Sequence, residues 1–356
     1  MFSTRDLVSW FGRLMLVGTV MAVAACSSTG STSTPNNTDA ANAPVTALPS
    51  CPCSSPSAAA VTLGTPGPAL ATVPPGQSGT VLAWGDDSAG QTDVPAGLSG
   101  VVSVAAGDEF SLALKSDGTV VGWGSDNAGE TEIPAGLSGV KQISAGSSFG
   151  LALKSGGTVV GWGDNTANET TIPASATDLV QVSAGGTHAL GLKANGTVVA
   201  WGSDDNGETD VPKGLANVVQ VSAGYDFSLA LLKNGTVVGW GDNAPTDGAP
   251  SMVAIPAGLS GVVGISAGYY HSLAVRTDGA VIAWGMNDSL QLSVPSGLKA
   301  TAVAAGGNFS VAIKSGETVA VWGSNDSGQT TVPGDPLNVV AIDAGGSHVL
   351  AVVASK

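Results

Sequence analysis

The chain has 356 residues, a formal charge of −15, 51 Gly and only 11% charged side chains. That balance repels the phosphate backbone of DNA and RNA, and the scarcity of Glu, Lys and Arg runs excludes a mainly helical fold. Its three Cys, at 26, 51 and 53, all precede the repeats described below, so disulfides do not hold the fold together.

Arg5 and Arg13 lead into an apolar run from Leu14 to Ala25 that ends in Val23-Ala24-Ala25-Cys26. The run is too short to cross a bilayer as a helix, which needs about 20 residues, and suits a cleaved export signal over 1–25. The small residues before Cys26 resemble a bacterial lipobox. That resemblance implies cleavage before Cys26, acylation of its sulfur and new amino group, and, with Ser27 next, sorting to the outer membrane of a two-membrane bacterium. Residues 26–77 are dominated by Ser, Thr, Pro, Ala, Asn and Gly and bury too little apolar surface to offset their ordering entropy. They read as a disordered tether of about 50 residues, reaching roughly 40 Å as a flexible chain. Cys51-Pro52-Cys53 interrupts it. Thiols in an exported protein oxidise, yet a bridge across one residue is strained, so their pairing stays open, and a lone C-x-C lacks the further ligands of a zinc site.

From residue 78 onward one unit recurs. Trp-Gly pairs begin at 84, 123, 162, 201, 240, 284 and 322, and Ala-Gly pairs at 106, 145, 184, 223, 267, 305 and 344. The copy from Val101 to Gly139 contains four β-type runs, VVSVAA, FSLALK, TVVGWG and ETEIP, separated by Gly, Asp, Asn or Pro. Asp117-Gly118 marks a hairpin between the second and third runs, and Pro134 puts the fourth at an outer edge. Four antiparallel strands in about 40 residues, repeated, is the pattern of propeller blades. The repeats open at Thr80–Gly85 with a third run and close at His348–Val353 with a second. Joined, the two ends complete a blade. The expected fold is all-β: a seven-bladed β-propeller over 78–356, four antiparallel strands per blade, the ring closed by N-terminal and C-terminal half-blades.

WGDDSAGQTDVP followed by SVAAGDEFSLALKSDG resembles the repeats of the regulator of chromosome condensation family, in the short form found in bacterial proteins. The likeness covers 78–354 and is nearest to the propeller-type inhibitors of β-lactamase. It implies the fold, and leaves the function open.

No residue set points to catalysis. His188, His271 and His348 share one position of the unit with Phe110, Phe149, Phe227 and Phe309, and a ring that Phe can replace is expected at a half-buried packing site rather than a metal or catalytic one. The Trp of each Trp-Gly pair is read as repeated packing rather than a sugar-stacking ring. Gly146-Ser147-Ser148-Phe149-Gly150 matches a nucleophile elbow only by letter, because it joins two strands. No HExxH motif, phosphate loop or plausible triad occurs, so no enzyme and no cofactor is expected.

Charge placement is more informative. The loops after the first and third runs share one face and carry Asp86, Asp87, Asp108, Glu109, Asp126, Glu130, Asp164, Asp204, Asp205, Asp226, Asp242, Asp247, Asp288 and Asp326, with no Lys or Arg. Asp and Asn are also good turn formers, which accounts for each singly but not for the missing cations. A cationic protein surface or Ca²⁺ suits such a face, although Asp204–Glu208 departs from calcium-loop spacing. The leading expectation is an envelope-tethered, monomeric recognition module that binds a protein, with no nucleic acid and with lipid as its sole link to the membrane. Its candidate contacts are Asp108, Glu109, Asp204, Asp205, Tyr225, Asp226, Tyr269 and Tyr270, with the longest departure of the repeats, Ala244 to Ile255, as a further loop. The alternative is inhibition of a secreted enzyme. The resemblance implies aromatic contacts at the second position after Ala-Gly, and of Glu109, Ser148, Thr187, Asp226, Tyr270, Asn308 and Ser347 only Tyr270 fits. Nucleotide exchange on a small GTPase, as in the eukaryotic namesake, is disfavoured by the export signal.

Overall fold

The computed structural model describes residues 78–242 and 251–355. The expected signal, Cys26, the tether, Cys51 and Cys53, and most of the longest loop lie outside the described residues.

Among the described residues all regular structure is β. The first strand is β1 (Gly79–Gly85), followed by β2 (Val101–Ala106), β3 (Phe110–Lys115) and β4 (Val120–Gly124). Then come β5 (Val140–Ala145), β6 (Phe149–Lys154), β7 (Val159–Gly163), β8 (Leu179–Ala184), β9 (His188–Lys193) and β10 (Val198–Gly202). The chain continues through β11 (Val218–Ala223), β12 (Phe227–Leu232), β13 (Val237–Gly241), β14 (Val262–Ala267), β15 (His271–Arg276) and β16 (Val281–Gly285). It ends with β17 (Ala300–Ala305), β18 (Phe309–Lys314), β19 (Val319–Gly323), β20 (Val339–Ala344) and β21 (His348–Ala354). Five antiparallel sheets have three strands each, and the sixth has six, in the order β20-β21-β1-β2-β3-β4. Within that sheet β2–β4 repeat the form of the others, while β1 pairs with β21 from Gly79↔Ala354 to Gly85↔His348 and so joins the two ends of the repeats, as their phase predicted.

Each unit has three strands rather than the expected four. The run after Trp-Gly is in the expected outer place, but it is a chain of turns. Asp87 Oδ1 accepts the Thr92 N–H at 2.9 Å, the Asp93 N–H reaches Gly90 O at 3.1 Å, and Leu98 N–H reaches Pro95 O at 3.1 Å. Short-range acceptors thus take the N–H groups that a ladder would need. The segment still covers the third strand: a Cβ on Gly122 would stand 3.1 Å from Thr131 Cα. The outer edge is protected without being extended.

Apolar side chains fill the joints between consecutive units. Phe110, Leu112 and Leu114 of one unit pack with Val140, Ile143 and Trp162 of the next. The Trp of every Trp-Gly pair is buried, and each of these indole N–H groups donates to a backbone carbonyl of the preceding unit's turn, as Trp123 does to Gln91 O at 3.0 Å and Trp162 to Glu130 O at 2.8 Å. The same bond from Trp84 to Gln329 O, 2.8 Å across 245 residues, closes the circle. Packing is therefore the role of the Trp series, and it lies between units.

Candidate functional site

The loops after the first strands meet at the mouth of a central channel. Their Gly-containing backbones are linked head to tail: Asp108 N–H to Ser147 O, Ser147 to Gly185, Gly186 to Gly224, Tyr225 to Gly268, Tyr269 to Gly306, Gly307 to Gly345 and Gly346 to Gly107. This circle explains the Ala-Gly series, because a Cβ on Gly146 would stand 2.6 Å from Gly185 O and closer still to the Phe149 ring. The requirement is for space, since the Gly of these pairs does not have positive φ.

All three Tyr of the chain gather at this mouth. Tyr225 lies 5.0 Å from Tyr269 and 6.1 Å from Tyr270 between ring centres, and Tyr269 meets Tyr270 edge-on at 6.2 Å. The Tyr269 hydroxyl reaches across the channel and donates to Asp108 Oδ1. Burial raises the Asp108 carboxyl, against the lowering effect of that bond and of Ser147, and burial with the nearby Asp108 charge raises Tyr269. Asp226 is also raised, by partial burial and then by Glu208, Asp242 and Asp205 around it. Tyr270 remains 37% exposed and Glu109 is exposed. Asp108, Glu109, Tyr225, Asp226, Tyr269 and Tyr270 therefore form one aromatic and acidic patch, and Asp205 borders it.

The remaining candidates divide differently. Asp204 Oδ1 accepts the Thr209 N–H at 3.0 Å and Asp126 Oδ1 accepts that of Thr131 at 3.0 Å, so both shape turns. Glu130, expected on the acidic face, is buried instead, as is Glu208 at the end of the Asp204–Glu208 cluster, and they accept the N–H groups of Ala128 and Asn206 at 2.7 and 2.8 Å. Gln91, Gln291 and Gln329 do the same work at the matching positions, since an amide oxygen accepts an N–H as well as a carboxylate does. No group of three or more His, Cys, Asp or Glu among the described residues is placed to hold a metal ion. The loop face has no Lys or Arg among the described residues.

The His position is fully buried rather than half-buried. His188, His271 and His348 bond through Nε2 to Ser228, Ser310 and Ser111 of the next unit at 3.0, 2.9 and 3.0 Å. Each of these hydroxyls donates onward to a backbone carbonyl, so the imidazole supplies the proton on Nε2. Burial holds the three rings at pKa values of about 4, 3 and 4, so they are neutral joints between units.

Below the mouth the channel wall is polar, a feature the repeat pattern alone does not single out. First strands turn an edge toward the channel that carries little or no ladder, and side chains of the preceding unit cover it in β2, β8, β11, β14 and β17. Gln142 donates to Val182 O at 2.9 Å and accepts its N–H at 3.0 Å, and Gln181 and Gln220 repeat the pair. Ser144, Ser183, Ser222 and Ser266 accept the N–H groups of Ala184, Ala223, Ala267 and Ala305 at 2.9 to 3.0 Å. Asp343 stands in the Ser position of its unit and accepts Ala106 N–H at 2.9 Å. Burial pushes its carboxyl up to about 7, opposed by the N–H groups of Ala106 and Ala344.

The family model of the regulator of chromosome condensation (RCC1) repeat matches residues 101–130, 140–169, 179–208, 218–247, 262–291 and 300–329, together just over half of the chain. No curated protein sequence matches. Among solved structures, Prp20p from Saccharomyces cerevisiae, described with its binding to Gsp1p and histones, is similar with a TM-score of 0.68 at 20% identity, over 81% of this chain and 94% of that one. Human WBSCR16 gives a TM-score of 0.60 at 16% identity over 78% and 98%. The ectodomain of the Physcomitrella patens receptor kinase CR4 gives 0.57 at 26% identity over 68% and 67%. These likenesses carry the fold, a β-propeller.

Proposed function

The chain belongs to the regulator of chromosome condensation (RCC1) repeat family, and from that premise we propose that it is a non-catalytic recognition propeller whose Tyr225–Tyr269–Tyr270 mouth binds a protein with a cationic surface. The three-stranded units count as seven blades, with β20-β21-β1 as the blade that closes the ring. A lipidated Cys26 carries the ring at the cell envelope, and the Ser/Thr/Pro/Ala-rich stretch up to residue 77 is its tether.

One observation carries the reading: every Tyr of the chain is gathered, from two adjacent units, on a face without cations. Tyr anchors an interface with large apolar area and a polar tip, its ring faces attract cations, and raised carboxylates such as Asp226 are relieved by an incoming positive charge. Family structures support binding as the mode of action. Prp20p is described as binding Gsp1p and histones, and Kap60 has been seen bound to yeast RCC1. The test is capture from native envelope with wild type and with Asp108→Asn/Asp226→Asn and Tyr270→Ala. Loss of the same captured protein in both variants supports the reading, and undiminished capture overturns it.

A second reading, inhibition of a secreted enzyme such as a β-lactamase, is favoured by Tyr270 alone, which sits where the resembling inhibitors place aromatic contacts. A β-lactamase assay with added protein decides it. Nucleotide exchange would require a cytoplasmic partner, and the lipobox-like Cys26 argues against meeting one.

A further inference from the structure

The face opposite the tyrosines has its own character. Lys115, Lys154, Lys193, Arg276 and Lys314 end second strands, Lys233 follows one, Lys141 lies near the start of a first strand, Lys299 lies just before such a start, and Lys213 lies in the Pro212–Leu215 turn that leads to one. Antiparallel pairing puts first-strand starts beside second-strand ends, as Val101↔Lys115 and Val140↔Lys154 show, so every cation among the described residues is on this one face. The carboxylates beside them are fewer: Asp117, which pairs with Lys115 at 3.2 Å, Asp178, Asp278, Glu317 and Asp335.

The same face carries two exposed valines at a repeated irregularity. A register shift skips the second residue of each first strand, and that residue is Val102, Val180, Val219, Val263 or Val340 in five units. Val180 is 39% and Val263 54% exposed, while Val102, Val219 and Val340 are partly buried against the cores. The chain also enters here. Gly79 pairs with Ala354 at the lower end of β1, and the Ser355 N–H donates to Ser78 O, so the 77 preceding residues connect to this face.

We propose that this lysine and valine face lies against an anionic phospholipid surface, presenting the tyrosine mouth away from the membrane. A bilayer is a flat, negative surface that can meet cations spread around a broad rim while small apolar residues settle among its headgroups. The acidic face, by contrast, is repelled by such a surface. The attachment point agrees, because a chain that enters at the lysine side lets that side lie on the membrane without having to pass around the ring. The proposal rests on the envelope location given above only for its setting; affinity of this face for anionic lipid is a property of the ring and can be measured without the anchor.

The test uses the full chain bearing Cys26→Ser, which cannot be acylated, in co-sedimentation with vesicles of phosphatidylcholine alone or with about 30% phosphatidylglycerol. Affinity for the anionic vesicles should exceed that for neutral ones by tenfold or more and fall steeply with salt. Lys154→Gln/Lys193→Gln/Lys233→Gln should abolish most of that excess. A charge-matched control on the other face, Asn127→Glu/Asn206→Glu/Leu290→Glu, should change it less than twofold. Equal binding to both vesicle types overturns the proposal. Equal losses in the two triple variants also overturn it, because they would show a response to net charge rather than to this face. Failure of acylation in the wild-type chain would count against the anchor and leave this measurement unaffected.

Discussion

Asp343→Ser should stabilise the protein, and the gain should depend on pH. Asp343 occupies the channel position held by Ser144, Ser183, Ser222 and Ser266 in other units, and a Ser there can keep the bond to Ala106 N–H that the carboxylate now makes at 2.9 Å. A carboxyl displaced from 3.8 to about 7 by burial loses up to about 4 kcal/mol on ionising. Its position on a polar channel wall, with two N–H donors, reduces the expected gain to about 1–2 kcal/mol, or roughly 3–6 °C in Tm. The folded pKa lies above the unfolded one, so the group favours folding fully below about pH 3.8 and that contribution is lost as pH rises through about 7. The advantage of the variant is therefore small near pH 4.5 and complete by pH 8.5. Urea midpoints of the two proteins measured at both values isolate the effect, because the buried His residues act equally in each. An equal gain at both pH values, or a loss at pH 8.5, would refute the reasoning.

The buried imidazoles should make the fold acid-sensitive with the opposite sign. Their folded pKa values of about 3 to 4 lie below the ordinary 6.5, so their contribution is complete above pH 6.5 and is lost as pH falls toward 4; His188→Phe with Ser228→Ala, which imitates a Phe-containing joint, should flatten that limb in urea titrations. Gly146→Ala should cost more than about 3 kcal/mol or prevent folding, since its Cβ meets the next unit's carbonyl at 2.6 Å. Gly136→Ala, which meets nothing within 4 Å but has φ +78°, should cost only about 1 kcal/mol by the same thermal measurement. Glu317 has φ 59° where other hairpins carry Gly, so Glu317→Gly should stabilise by about 1 kcal/mol in denaturant titration.

Much of the ring was legible because its constraints repeat. The Ala-Gly and Trp-Gly series mark places where each unit touches the next, and the split repeat at the termini is the β1–β21 pairing. The fourth run was misleading because Val and Ile alternation in DVP and EIP resembles a strand, while Asp87-to-Thr92 and its equivalents convert the segment into turns. Counting charges likewise misplaced Glu130, whose carboxylate, like that of Glu208, folds back onto a backbone N–H group. The exchange of Glu with Gln at positions 91, 130, 169, 208, 291 and 329 was the available signal: a site that accepts either residue wants an acceptor oxygen and not a charge. Repetition gave no hint that Tyr269 meets Asp108, 161 residues away, because that contact spans the channel between different units. It becomes visible only once the circle is closed.

In the function proposed above, a protein partner is met at the tyrosine mouth. A photo-crosslinking side chain placed in intact cells at Tyr270, and separately at Lys154 on the opposite face, tests it most directly. A discrete protein adduct is expected from Tyr270 that disappears with Asp108→Asn/Asp226→Asn, and no protein adduct from Lys154. An adduct to the same protein from Lys154 alone, or no protein adduct from Tyr270, would contradict it.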